Sequence, residues 1–108
     1  MANNFKLKTK ANIGVTTVGI YTVPAATTST IIGITLANTS GGGINVGIGI
    51  TRAAADNINV LKSVPIPQGS SLEVMQGNKV VLEATDTLTV TSDVNNSLDV
   101  AVSLLEMT

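Results

Sequence analysis

The sequence has no cysteine, no histidine and no tryptophan among its 108 residues. Cysteine and histidine supply most of the nucleophiles, general bases and transition-metal ligands that work near neutral pH. The carboxylates, lysines and hydroxyls that remain are scattered along the chain. We therefore predict that the protein is not an enzyme and that it has no catalytic residue, no metal site, no cofactor and no small-molecule substrate.

Charged residues are also few. Six basic and seven acidic residues give a net charge of −1, and charged residues make up 12% of the chain, against about 25% in an average soluble protein. Such a weak field does not concentrate nucleic acid or anionic lipid, so we expect no nucleic-acid and no membrane partner. Together with a mean hydropathy of +0.40, the low charge indicates a chain that associates with other copies.

Long apolar runs are missing as well. No run approaches the roughly 20 residues of a membrane-spanning helix. The first ten residues, MANNFKLKTK, lack the apolar segment of a signal peptide. These features predict a protein that is made and folded in a cytoplasm.

Aliphatic side chains alternate with small or polar ones through most of the chain. In the clearest case, four β-branched residues alternate with four such partners: Ile44, Val46, Ile48 and Ile50 against Asn45, Gly47, Gly49 and Thr51. A period of two predicts a strand whose aliphatic row lies in a core. Turn-forming residues recur about every 8 to 12 residues, which is typical of a sandwich. We predict an all-β protein, an antiparallel β-sandwich of about eight strands that is jelly-roll-like, with residues 11–108 as its single domain.

The same pattern locates individual strands. One strand is expected over residues 12–23, ended by Pro24, which cannot donate a ladder hydrogen bond. Residues 30–38 and 44–52 are predicted to form a hairpin around the segment NTSGGG, with Ile32, Ile34 and Leu36 on one face. In the last strand four aliphatic residues share a face: Leu98, Val100, Val102 and Leu104. A loop and a turn are expected at residues 53–56 and 76–78.

Residues 1–10 hold half of the basic side chains and have two interpretations. Lys6, Lys8 and Lys10 alternate with Leu7 and Thr9 behind an aromatic residue, Phe5. In the first interpretation, the segment is an edge strand whose lysines face solvent and discourage pairing with other chains. Alternatively, it is an arm that reaches a neighbouring subunit, with Phe5 as its anchor.

Two glycines lie on the outward row of the strand at 44–51. Gly47 and Gly49 weaken a strand but leave a shallow surface that another backbone could approach. They indicate either a bulge or crowded corner of the sheet, or a contact with another subunit. The candidate assembly contacts are thus Phe5, Lys6, Lys8, Lys10, Gly47 and Gly49.

Two carboxylates lie close together in the chain. Glu83 and Asp86 flank a predicted turn, with no third or fourth oxygen ligand nearby. We interpret them as solvated turn residues rather than as an acid–base pair or a calcium site.

Four segments, taken in order, resemble small virion structural proteins of tailed bacteriophages, cyanophages in particular: IYTVPAATTSTIIGITLANT, PIPQGSSLEV, KVVLEATDTLTV and SLDVAVSLLEMT. The resemblance covers nearly the whole chain. Such proteins commonly have Gly-Asp in the turn before the penultimate strand, where this chain has Thr85 and Asp86.

The resemblance implies a non-enzymatic virion subunit, present in many copies and assembled in the host cytoplasm. The function expected first is that of a capsid decoration or cement subunit acting through β-edge and arm contacts. Its partners would be other copies of itself, as a homo-oligomer such as a trimer, and other virion proteins such as the major capsid protein. The alternatives are a tail, neck, baseplate or fibre subunit, and a receptor- or carbohydrate-binding module.

Overall fold

Two antiparallel β-sheets lie face to face in the computed structural model, which describes residues 3–52, 57–74 and 80–108. The described residues form nine strands: β1 (Asn3–Ile13), β2 (Val18–Thr22), β3 (Thr28–Asn38), β4 (Ile44–Thr51), β5 (Ile58–Ile66), β6 (Ser71–Glu73), β7 (Val80–Leu82), β8 (Thr87–Ser92) and β9 (Leu98–Met107). This confirms the predicted all-β antiparallel sandwich, with nine strands in place of about eight. Within the described residues there is no helix that could cross a membrane.

The chain crosses repeatedly between the two sheets, as in a jelly roll. Sheet I has the order β1-β9-β3, and both β6 and β7 pair with the far edge of β3. Sheet II has the order β2-β8-β4-β5. Because β1, β2, β3 and β4 alternate between sheets, each of the first three links carries the chain across the sandwich. In the strand order of sheet I, β1 lies at one edge and has β9 as its neighbour.

Aliphatic side chains from both sheets fill the space between them. The aliphatic row of β4 is between 1% and 4% exposed, and that of β9 is between 0% and 3% exposed, as predicted. Tyr21 is buried among them, whereas Phe5 is 78% exposed. Each fully buried Val, Leu or Ile contributes roughly 1.5–3 kcal/mol, so this core is the main source of stability.

Residues 30–38 and 44–52 do not form the predicted hairpin. Their strands lie in different sheets, because β3 pairs with β6, β7 and β9 while β4 pairs with β5 and β8. Each strand buries one face in the same core, and the two do so from opposite sides. The glycine-rich segment spans the sandwich between them. The side-chain nitrogen Nδ2 of Asn38 stabilises this segment by donating to the carbonyl oxygens of Gly42 at 2.8 Å and Ile66 at 2.9 Å.

A bulge in β3 changes which isoleucine is buried. The prediction placed Ile32 on the inner face, but Ile32 is 37% exposed and Ile31 only 1% exposed. The pairing with β9 shifts between Ile31 and Gly33. The inward position therefore belongs to Ile31 before the shift and to Ile34 after it. One extra residue in a strand cannot be recognised from alternation alone.

The single strand predicted over residues 12–23 is in fact the end of β1 and the whole of β2, in different sheets. The chain turns at Gly14, where an added Cβ atom would lie 3.0 Å from Oδ1 of Asn95. β1 also continues past residue 10, the predicted end of the N-terminal segment. The predicted loop at 53–56 and turn at 76–78 lie outside the described residues.

An arginine at the end of β4 holds the turn between β7 and β8. Nη2 of Arg52 lies 2.7 Å from Oε1 of Glu83, and its Nε lies 3.2 Å from Oδ2 of Asp86. The Asp86 carboxylate also accepts the backbone N–H of Glu83 at 3.0 Å. The two carboxylates are thus paired with Arg52 rather than merely solvated. Thr85, between them, has a φ of 70°, a left-handed conformation that is unusual for a β-branched residue.

Val46→Asp should lower the free energy of unfolding by about 3 kcal/mol or more, or prevent folding. Val46 is 1% exposed, so the new carboxylate would be buried without a partner. Urea denaturation followed by circular dichroism measures the change. As a control, Asn59→Asp on exposed β5 should change stability by less than about 0.5 kcal/mol. Equal stability of the two variants would show that the faces of β4 are assigned backwards.

Thr85→Gly should raise the free energy of unfolding by up to about 1 kcal/mol, because glycine adopts the left-handed conformation without strain. The matched control is Thr91→Gly in strand β8, which should lower stability by about 0.5–1 kcal/mol. Thermal melting of both variants tests the pair. Destabilisation by both substitutions would contradict the strained turn.

Candidate functional site

β1 is an edge strand that pairs on one side only. It pairs with β9 from Asn3 opposite Met107 to Lys10 opposite Val100, and no other described strand pairs with it. The register then shifts before Ile13, where Asn12 has a φ of 59°. Four of the candidate assembly contacts lie in β1, so the sequence prediction directs attention to this strand.

The lysines of β1 point toward the inner side of sheet I. The register places each of them opposite a buried residue of β9, and directly opposite residues share a face: Lys6 with Leu104, Lys8 with Val102 and Lys10 with Val100. The expectation that they lie on the solvent face is therefore wrong. They still reach water because β1 is at the edge, and the Lys6 side chain is 45% exposed. Inward-pointing charges discourage another strand from pairing with the free side of β1.

A buried carboxylate connects β1 to both sheets. The Glu106 side chain is 6% exposed and lies 2.9 Å from Nζ of Lys6. It also accepts a 2.5 Å hydrogen bond from the Tyr21 hydroxyl, which lies 2.6 Å from Oγ of Ser29. Nζ of Lys8 lies 6.0 Å from the centre of the Tyr21 ring. Because Tyr21 belongs to sheet II and the other residues to sheet I, this cluster bridges the sandwich. We call it the Glu106 cluster.

The Glu106 cluster shifts two pKa values. The hydrogen bond from Tyr21, followed by that from Lys6, lowers the pKa of Glu106. Burial, followed by the hydrogen bond to Glu106, raises the pKa of Tyr21 from 10.0 to about 12. Both shifts favour a neutral hydroxyl that donates to a charged carboxylate. Tyr21 and Glu106 therefore form a structural bridge, and the shifts of their pKa values move both groups away from proton exchange near neutral pH.

The outer face of sheet I carries a group of uncovered apolar side chains. Phe5 lies opposite Leu105, which lies opposite Thr30, which in turn lies opposite Val81, so one row crosses four strands. Phe5 is 78% exposed, Val81 60% and the neighbouring Leu7 63%. We call Phe5, Leu7, Val81 and Leu105 the outer patch. Adjoining exposed apolar side chains of this kind are typical of surfaces that associate with a partner.

Gly47 and Gly49 form the floor of a groove on the outer face of sheet II. The groove has a volume of about 340 Å³, and Asn59, Thr89 and Thr91 lie along it. The register between β4 and β5 shifts twice beside the glycines. An added Cβ atom at Gly49 would lie 3.1 Å from the carbonyl oxygen of Ile58. The bulge therefore accounts for Gly49 from within the chain, and the side chain of Thr89 also approaches this position, with Oγ1 3.1 Å from the added Cβ atom.

The structure thus separates the candidate residues into three places: the two outer faces of the sandwich and the buried Glu106 cluster between the sheets. Phe5 belongs to the outer patch and Lys6 to the Glu106 cluster, while Gly47 and Gly49 lie in the groove. Sequence reasoning missed Glu106 and Tyr21, which are 85 positions apart. It also missed Val81, whose place beside Phe5 depends on strand order. Among the described residues, no group of acidic side chains could hold a metal ion.

Comparison with known proteins finds a likeness in fold alone. No family model and no curated protein matches the sequence. Among solved structures, one chain matches with a TM-score of 0.60 and 15% sequence identity. That structure is described as "Bacillus endospore appendages form a novel family of disulfide-linked pili". The match covers 99% of this chain and 87% of that chain.

This match contradicts the predicted function of a phage capsid decoration or cement subunit, because the neighbour comes from endospore pili. It also gives no support to a tail or fibre subunit, to a receptor- or carbohydrate-binding module, or to the major capsid protein as a partner. The resemblance to tailed-phage proteins and the virion location stay predictions.

Tyr21 offers a direct test of the Glu106 cluster. It is the only tyrosine, and the chain has no tryptophan, so tyrosinate absorbance reports on this one hydroxyl. We expect a pKa of about 12 in the wild type. Glu106→Gln should have a lower Tyr21 pKa, because it keeps the burial but loses the carboxylate. A wild-type pKa near 10, with circular dichroism showing an intact fold, would contradict the cluster.

The same shifts predict how stability depends on pH. The Tyr21 pKa is raised on folding, so its contribution is complete below pH 10.0 and is lost as the pH rises through about 12. The Glu106 pKa is lowered on folding, so the contribution of Glu106 to stability is complete above pH 4.5. That contribution is lost as the pH falls through the pKa of Glu106 in the folded protein. The difference in unfolding free energy between wild type and Tyr21→Phe should therefore shrink at high pH.

Proposed function

We propose that this protein is a non-enzymatic structural subunit that assembles with copies of itself into a pilus- or appendage-like fibre. The observation that carries the proposal is the outer patch, in which Phe5, Leu7 and Val81 are each at least 60% exposed on one sheet face. Covering such side chains is favourable, at roughly 25 cal/mol per Å² of apolar surface removed from water. A neighbouring copy supplies the cover.

The fold supports this proposal. A chain of endospore pili has a similar sandwich, which matches 99% of this chain and 87% of that chain. The architecture therefore suits a subunit of a repeating fibre.

Copies of this chain cannot be joined by disulfide bonds. The neighbour's pili are described as disulfide-linked, but this sequence contains no cysteine. The contacts that we propose between copies are apolar burial, backbone pairing and polar contacts. Such an assembly depends on protein concentration and reverses on dilution.

Two different surfaces on one subunit favour a chain of copies over a closed pair. The outer patch lies on sheet I, and the groove above Gly47 and Gly49 lies on the opposite outer face, on sheet II. An interface between two unlike surfaces is heterologous and continues as a fibre unless its rotation closes a ring. The small net charge of −1 adds little repulsion between stacked copies.

Concentration-dependent assembly tests the proposal. We expect the purified protein to form fibres visible by electron microscopy and to show growing sedimentation coefficients as its concentration rises. The double variant Phe5→Ser, Leu7→Ser should need at least about tenfold more protein for half-assembly, because each lost apolar contact is worth about 1.5–3 kcal/mol when buried.

The matched control places the same chemical change away from the outer patch. Val15 and Val94 are 58% and 40% exposed and lie in links between strands, so Val15→Ser, Val94→Ser should assemble like the wild type. Melting curves establish that both double variants are folded. A wild-type protein that stays monomeric at millimolar concentration, or equal assembly of the two variants, would contradict the proposal.

A further inference from the structure

β1 is attached to its sandwich without sharing the core. None of the residues from Asn3 to Asn12 is buried, and Ile13, 1% exposed, is the only core residue of the strand. The first half of β1 is instead held by its ladder with β9 and by the contact between Lys6 and Glu106. Detaching residues 3–10 therefore exposes little apolar surface of β1 itself.

The chain has a natural pivot where this segment joins the body. The β1–β9 register breaks between Lys10 and Ile13, and Asn12 is in the left-handed region with a φ of 59°. Beyond the break the chain is fixed, because the carbonyl oxygens of Ile13 and Gly14 each accept a backbone hydrogen bond at 3.0 Å from Ser97 and Ser92. The break thus separates residues 3–10 from the part of the chain fixed at Ile13, and between them the backbone N–H of Asn12 donates to Oδ1 of Asp99 at 3.0 Å.

The position that β1 occupies is selective for a strand of its own kind. With β1 in place the Glu106 side chain is 6% exposed and pairs with Lys6, whereas detaching β1 opens this carboxylate and the backbone groups of β9 to water. An occupant that buries the carboxylate again has to supply a cation beside it. An occupant must therefore be extended and must carry a basic residue at the register of Lys6. Residues 3–10 of a second copy meet both requirements, because they would repeat contacts already present within one chain.

The segment is also long enough to reach another copy. Eight residues of extended chain span about 26 Å at roughly 3.3 Å per residue. The whole molecule, with β1 in place, measures 45 × 25 × 21 Å along its principal axes. A detached segment can therefore lie along the β9 of an adjacent copy while its own body stays beside that copy.

We propose that residues 3–10 of one copy occupy the β9 edge of the next copy, so that successive subunits are joined by strand exchange. This inference rests on the proposed self-assembly and adds a second contact to it, because the exchanged strand rebuilds the outer patch without covering it. Lys6 of the incoming strand pairs with Glu106 of the receiving copy, and Phe5 and Leu7 complete the outer patch there. Exchange in one direction leaves one free segment and one open β9 edge at the two ends, so the assembly continues.

The absence of native cysteine allows a direct test. Leu7 and Ser103 are opposite each other on the outer face. Directly opposite residues in antiparallel strands have Cα atoms about 4.5–5.5 Å apart, within disulfide range. One batch of protein carries Leu7→Cys and another carries Ser103→Cys. After the batches are mixed under assembly conditions and oxidised, we expect a covalent heterodimer whose linking peptide is identified by mass spectrometry.

The matched control uses two strands that both belong to the core. Thr35 in β3 and Ala101 in β9 are also opposite each other on the outer face of sheet I. Mixing Thr35→Cys with Ala101→Cys exposes the same chemistry on strands that cannot exchange. We expect at least about tenfold less heterodimer from this pair than from the exchange pair. Melting of each single variant establishes that it is folded.

The outcomes separate this inference from the proposed function. Heterodimer from the Leu7–Ser103 pair alone supports strand exchange. Fibres by electron microscopy without that heterodimer, or equal yields from both pairs, overturn the exchange and leave self-assembly standing. Protein with neither fibres nor heterodimer overturns both, whereas heterodimer without fibres supports exchange and contradicts the fibre.

Discussion

Strands β2 to β9 enclose the core of this sandwich, and β1 contributes only Ile13, its last residue. The behaviour of the protein depends on that arrangement. The remainder of β1 is held by backbone pairing and by a charged contact, while its apolar side chains, Phe5 and Leu7, point away from the core. The force that stabilises the fold is thus separate from the surface offered to a neighbour. Covering these two side chains with a neighbouring copy, as we propose, would leave the core unchanged.

The Glu106 cluster determines where β1 is placed more than how strongly it is held. A buried ion pair often adds little net stability, because removing two charges from water offsets their attraction. A wrong register, however, leaves the Glu106 carboxylate without Lys6 in a nearly dry site. Side-chain alternation forbids a shift by one residue, since it would turn Phe5 inward. A shift by two that puts Asn4 in the place of Lys6 leaves the carboxylate without a cation, whereas the opposite shift replaces Lys6 with Lys8. The cluster therefore disfavours some registers of the contact, within one chain or between copies.

The sequence predicts features governed by local periodicity and fails where distant partners decide. The buried rows of β4 and β9 follow from alternation, and so does the antiparallel sandwich. The hairpin prediction failed because NTSGGG suits a crossing between sheets as well as a tight return. Ile32 was misplaced by a one-residue bulge. The inward direction of Lys6 and its pairing with Glu106 depend on the register between the two ends of the chain, which composition does not encode.

Amide hydrogen exchange measures the central claim most directly, because it reports the free energy of opening for each strand. In the monomer, the paired amides of residues 5–10 should exchange at least about tenfold faster than those of Ile34 and Leu36 in β3. On assembly, the β1 amides should slow while those of β3 stay unchanged. Protection of β1 equal to that of β3 in the monomer would show that the strand is an integral part of the core, and it would contradict the account.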